Sequence, residues 1–139
     1  GDGKTIYFVS ERPGGEGRAD IYVVKKEGGA WTEPKNLGAA INTVGDEKCV
    51  FISLDGKRLF YSSNGFQNSL GSYDIYMSEM NEQGVWGEPR NLGYPINTVK
   101  EEKTISVSPD GKTAYVSAYY EKDSKGGADI FSIDISNLK

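Results

Sequence analysis

An all-β fold built from a repeated four-stranded unit is what this sequence predicts, and three observations predict it. Landmark residues recur at a near-constant interval, and each interval holds four short strand signals parted by turn signals. No stretch carries an apolar stripe at helical period over even three turns. The composition agrees: 18 Gly, 5 Pro, 9 Tyr, 5 Phe and 2 Trp describe a turn-rich chain with wide apolar faces.

The tripeptide Asp-Gly-Lys begins at Asp2, Asp55 and Asp110, spaced 53 and 55 residues apart. Asp-Ile-aromatic follows in step at Asp20-Ile21-Tyr22, Asp74-Ile75-Tyr76 and Asp129-Ile130-Phe131. Residues 31–44 and 86–99 are identical at ten of fourteen positions, sharing Trp31 with Trp86 and Asn36 with Asn91. Glu47 and Glu102 each stand eight residues before the next Asp-Gly-Lys. The central repeat shows the order of elements. Cys49 to Ser53 is a β-branched and aromatic run, and Leu54-Asp55-Gly56-Lys57 is a tight hairpin in which Gly56 supplies a positive φ. Arg58 to Ser63 and Ser72 to Met80 are the next two strands. The fourth surrounds Trp86 and carries Pro89, which removes a ladder donor and marks a sheet edge.

Four antiparallel strands in roughly 40 to 50 residues are the signature of a β-propeller blade, which must stack on neighbours to bury both faces. With strands lettered A to D from the axis outward, residues 1–139 hold a partial propeller of about two and a half blades, with repeats starting near 2, 55 and 110. Strand A of the first blade and strand D of the last are missing. An excerpt of a longer propeller is expected, with self-assembly as the alternative. The chain therefore needs its remaining blades, or self-association, to cover its apolar faces.

Composition excludes several function classes. A chain of 139 residues is one domain. Its net charge of −4 argues against a nucleic-acid partner. Apolar runs fall far short of the roughly 20 residues of a membrane helix, so no direct membrane insertion is expected. The first residue is Gly and no leader pattern follows, which suggests a mature, processed or excised piece. There is no His and a single Cys, Cys49, so His-dependent nucleophilic catalysis and His-based or multi-Cys zinc sites are ruled out. Neither a cofactor nor a metal is predicted, since no clustered Asp-x-Asp-x-Asp loop offers the oxygens calcium takes.

The combination of Asn-Leu-Gly-x-x-Ile-Asn-Thr, an acidic pair, Ser-x-Asp-Gly-Lys and a Gly-led Asp-Ile-aromatic segment resembles the TolB-type, WD40-like propeller repeat. It is similar in particular to the version in periplasmic and outer-membrane-associated proteins of Bacteroidota. Those proteins carry an OmpA-like peptidoglycan-binding domain or belong to type IX secretion and gliding machinery. The resemblance implies a non-catalytic, protein- or peptide-binding module with a periplasmic or outer-membrane-associated address. Two departures stand out: Cys49-Val50 and Thr104-Ile105 occupy places where the family often has Pro, and no OmpA-like portion is present. Two other readings are a fragment of a five-bladed propeller glycosidase and a purely structural spacer.

Each candidate residue has a structural and a functional reading. Asp20, Asp74 and Asp129 recur on separate blades, which suits backbone hydrogen bonding rather than paired acid catalysis. Glu47 and Glu102 enter the innermost strand. They either face a central channel or satisfy donors in the loops at Asn42-Thr43 and Asn97-Thr98. Gly14-Gly15-Glu16-Gly17 precedes a strand and so reads as a hairpin connection, not a phosphate cradle. Trp31 and Trp86 are either carbohydrate platforms or inter-blade packing residues, and Cys49 reads as a small buried hydrophobe. The B–C loops differ most between repeats, and variable loops on a rigid scaffold carry binding. Arg12, Arg18, Phe66, Gln67, Tyr119, Tyr120 and Lys122 are therefore the predicted binding residues, with aromatic anchors and basic groups for acidic partner residues. The alternative for Phe66 and Tyr120 is that they fold back over their own blades.

Overall fold

The computed structural model describes residues 3–120, 122 and 125–138. Asp2, and Glu121, Asp123 and Ser124 of the third B–C loop, lie outside the described residues. The alternating side chains form eleven strands and, among the described residues, no helix. Strands β1 (Thr5–Ser10), β2 (Asp20–Glu27), β3 (Ala30–Trp31) and β4 (Lys35–Asn36) make the first sheet. The second consists of β5 (Glu47–Ile52), β6 (Arg58–Ser63), β7 (Asp74–Glu79) and β8 (Arg90–Asn91), in that order. The third contains β9 (Thr104–Val107), β10 (Thr113–Ala118) and β11 (Asp129–Asp134). All pairing within the sheets is antiparallel.

Local chemistry sets the turns and interruptions. In the β5–β6 hairpin Gly56 takes φ 72°, and Asp55 accepts from the Ser53 hydroxyl and the Lys57 N–H. Ser108, Asp110 and Gly111 repeat that arrangement before β10. The fourth strand of each complete repeat is broken at its proline. Pro34 separates β3 from β4, and Pro89 separates the Met80–Trp86 bridge from β8, because proline offers no N–H to the ladder. Cys49 corrects the sequence reading: it is half-buried, has φ 40°, and lies where the β5–β6 register slips between Lys48 and Phe51. Two residues, Cys49 and Val50, face one partner there, which is a β-bulge.

Period-two alternation makes the second sheet apolar on both faces. Leu59, Tyr61 and Tyr76 pack with Ile21 and Ile41 of the first repeat. Phe60, Ile75 and Met77 pack the other way, with Ile105, Ala114 and Val116 of the third sheet. Trp86 lies edge-on to Tyr7 of the first sheet, with centroids 5.9 Å apart, so it packs between sheets. Trp31, its counterpart, is exposed beneath Lys26. Similarly Ile21 and Ile75 are fully buried, whereas their equivalent Ile130 is 79% exposed on the outer face of the third sheet.

Consecutive sheets are joined by main chain at one end only among the described residues. Parallel bridges link Ala19 to Asp46 and Tyr73 to Glu101. Glu47 N–H donates to Ala19 C=O (2.8 Å), and Glu102 N–H to Tyr73 C=O (2.9 Å). At the opposite, hairpin end, clefts part the sheets. One of about 460 Å³ is lined by Tyr7, Lys25, Leu54, Asp55 and Met80, and one of about 350 Å³ lies between Asp55 and Asp110.

Candidate functional site

The joined end gathers all B–C loops and the connections that lead from β4 to β5 and from β8 to β9. Antiparallel pairing requires this, because Ser10 pairs Asp20, Tyr22 pairs Asn36 and Glu47 pairs Ser63. The connections are held by the Ile-Asn-Thr motif. Asn42 accepts the Ile21 N–H (2.8 Å) and donates to its carbonyl (3.1 Å), and Asn97 does the same for Ile75 (2.7 and 2.8 Å). Glu47 and Glu102 are fully buried beneath them. Glu47 accepts from the Thr43 N–H and hydroxyl and the Ser63 hydroxyl, and Glu102 from the Thr98 N–H and hydroxyl. Of their two readings, the one in which they serve donors of the Asn-Thr loops matches these contacts, and the channel-facing one does not. Burial pushes both carboxyls above the ordinary glutamate range, against the pull of those hydrogen bonds.

The three B–C loops differ in sequence but share one packing rule: each lays a flat side chain on the ring of its own Asp-Ile-aromatic segment. The Arg12 guanidinium sits 4.8 Å from the Tyr22 centroid, Phe66 lies 4.2 Å from Tyr76, and Tyr120 lies 4.5 Å from Phe131, edge-on. Tyr120 also donates to the Pro95 carbonyl (2.6 Å). Phe66 and Tyr120 are not open anchors but follow the alternative reading and fold back over their own sheets, since burying each ring against a neighbour removes apolar area from water. Arg12 caps Phe8 and Tyr22 rather than projecting freely. Arg18 is committed as well: its guanidinium is paired in two contacts with Asp46, which also accepts from Tyr73 (3.1 Å). That Arg18 hydrogen bond holds the Asp46 carboxyl below the usual aspartate range. Gln67, Tyr119 and Lys122 are exposed.

Asp20, Asp74 and Asp129 do accept loop backbone donors, from Gly17 (3.1 Å), from Leu70 and Gly71 (2.5 and 3.1 Å), and from Lys125 (2.7 Å). Asn36 and Asn91 pair with the Ile-Asn-Thr asparagines at 2.7 Å. Sequence reasoning missed a second feature of this end. Val44 and Val99 are 88% and 79% exposed at equivalent loop tips, and Tyr94 and Leu70 are exposed on the same surface. Their repetition in Asn-Thr-Val was legible in the sequence; their exposure was not, because an apolar residue after a capping Asn-Thr reads as core. The two buried glutamates of this end are engaged by hydroxyls and amides, and the side chains exposed there include Val44, Val99, Gln67 and Lys122.

A solved structure, the crystal structure of TolB from Acinetobacter baumannii, superposes on this chain with a TM-score of 0.63 and 18% sequence identity. The fold is TolB-like. The match covers 96% of this chain and 28% of that one, so the chain spans little more than a quarter of the TolB length. No family model and no curated protein matches the sequence.

Proposed function

We propose that this chain is part of a β-propeller whose further repeats cover the outer faces of the first and third sheets. It serves as a non-catalytic, protein- or peptide-binding module of the cell envelope. The observation that carries the binding reading is the set of exposed apolar residues on the loops of one end, Val44, Leu70, Tyr94, Val99 and Tyr119. Exposed apolar residues at loop tips on a repeated scaffold are the kind of surface that partners use. Gln67 and Lys122 are exposed polar residues of the same loops. The TolB-like fold and the repeat resemblance support the envelope setting. The propeller reading draws support from Trp31, Tyr115 and Ile130, which stand exposed where their counterparts in the second sheet are covered.

Two experiments test this. Capture of partners from an envelope extract should be lost in the triple variant Val44→Ser, Tyr94→Ser, Val99→Ser at an unchanged melting temperature. Unchanged capture would overturn the binding surface. Solution scattering from the intact parent should fit a closed disc, and an open linear stack of sheets would overturn the propeller arrangement.

A further inference from the structure

The same three polar groups recur beneath the B–C loops of the first and second repeats, but only the second set is satisfied. In the second repeat Asp74 Oδ2 accepts from the Leu70 N–H (2.5 Å) and from Asn91 Nδ2 (2.7 Å). Tyr76 Oη donates to Asn68 Oδ1 (3.0 Å) and shares a hydrogen bond with Ser69 Oγ (2.9 Å). Asn91 Nδ2 also reaches the Asn68 carbonyl (3.2 Å). In the first repeat the matching atoms are Asp20 Oδ2, Tyr22 Oη and Asn36 Nδ2. All three are buried and none has a hydrogen-bond partner among the described residues. Asp20 and Tyr22 are only 1% and 4% exposed. Buried polar atoms are ordinarily paired, with protein or with ordered water, so three together mark a place where the protein itself supplies no partner.

The cause is written in the loop. Counted back from the aspartate, Gly14 and Gly15 stand where the second repeat has Asn68 and Ser69, so the loop has no side chains to offer. Gly15 packs directly onto Asp20: a Cβ there would lie 1.6 Å from Oδ2. Coverage by a neighbouring repeat is not the remedy the fold uses. Every partner of Asp74, Tyr76 and Asn91 named above belongs to the second repeat itself, although the first sheet packs alongside. The inference therefore stands apart from the propeller reading. Residues 11–16 are mostly exposed, and lifting the loop breaks the Gly17 hydrogen bond to Asp20 and the seat of Arg12 on Ser10, Phe8 and Tyr22.

We propose that Asp20, Tyr22 and Asn36 form a recognition site for a peptide segment carrying an Asn-Ser pair. The segment displaces the glycine loop and docks as residues 68–70 do in the second repeat. Its backbone N–H satisfies Asp20, its carboxamide and hydroxyl satisfy Tyr22, and its carbonyl takes the Asn36 amide. The probe is the peptide acetyl-Gln-Asn-Ser-Leu-amide, titrated into the full chain labelled with nitrogen-15. A saturable shift of the Asn36 side-chain amide and of the Gly14, Gly15 and Gly17 amides is expected. Tyr22→Phe, which removes a hydroxyl with two partners in the segment, should weaken binding at least about five-fold, and Tyr76→Phe should leave it unchanged. Replacing residues 11–17 by the sequence of 64–71 should abolish the response by filling the site from within. No response up to the peptide's solubility limit would overturn the proposal. So would an equal response to the Ala-Ala peptide, or one indifferent to Tyr22→Phe.

Discussion

The first and second B–C loops cover nearly the same strand chemistry in opposite ways. Loop 64–71 is a self-contained plug: Phe66 seals the Tyr76 ring, and Asn68, Ser69 and two backbone amides answer the polar atoms below. Loop 11–17 is a thin cover: Arg12 lies over Tyr22, and its glycines leave Asp20, Tyr22 and Asn36 short of partners. The difference teaches that the repeat specifies a demand, set by Asp-Ile-Tyr and the asparagine of the fourth strand, while each loop decides how to meet it. In the third repeat the demand itself is smaller, because Phe131 brings no hydroxyl.

The comparison breaks most visibly at the stowed side chains. Phe66→Ala should lower stability by about 2 kcal/mol, since a half-buried ring leaves the Tyr76 cluster. Arg12→Ala should cost about 1 kcal/mol or less, as an exposed cation over a ring contributes little. Equal losses in denaturant titrations would mean the two loops are equivalent after all. The next effect sharpens the polar contrast. Tyr76→Phe removes a hydroxyl with partners on both sides and should cost about 1 to 2 kcal/mol, whereas Tyr22→Phe removes an unsatisfied one and should be neutral or stabilising. A matching loss at Tyr22 would show that its hydroxyl is already served.

The smallest expected effect concerns pH. Burial raises the Glu102 carboxyl, so its contribution to stability is full below the ordinary glutamate range and fades as pH rises through the raised value. Glu102→Gln should flatten that fall in melts taken from acid to neutral pH; an unchanged slope would contradict it. Asp46 behaves oppositely. Arg18 holds its carboxyl low, so its contribution is present above the ordinary aspartate range and is lost as pH falls through the lowered value. Asp46→Asn should therefore flatten the loss of stability at strongly acid pH. Glu102 also has one hydroxyl fewer than Glu47, because Ala118 stands where the second sheet has Ser63. Ala118→Ser should make the two glutamates titrate alike.

Much of this was legible before any coordinates. The period marks the equivalent strands and turns, the repeated aspartates read as acceptors of loop amides, and Pro89 marks the edge strand; that the fourth strand breaks at its proline is seen only in the structure. What escaped were outcomes that depend on reach rather than residue type. A loop aromatic binds outward or seals inward according to its distance from a ring below it, and nothing in Phe66 or Tyr120 alone encodes that distance. The bulge at Cys49 escaped too, since an extra residue in a strand keeps the same apolar composition. Aligning the loops backward from the aspartate, rather than forward from the strand, is what sets Arg12 against Phe66 and Gly14-Gly15 against Asn68-Ser69.

The one-sided joining of the sheets has a mechanical meaning. Main-chain bonds at Ala19–Glu47 and Tyr73–Glu102 bind the stack like the spine of a book, while clefts part the leaves at the hairpins. Compliance is therefore angular. The hairpin edges are expected to exchange their amides faster than Glu47 and Glu102 at the spine, because opening there breaks no bond between sheets. A ligand gripping the loop tips meets a stiff ruler, and one wedged among the hairpins meets a spring.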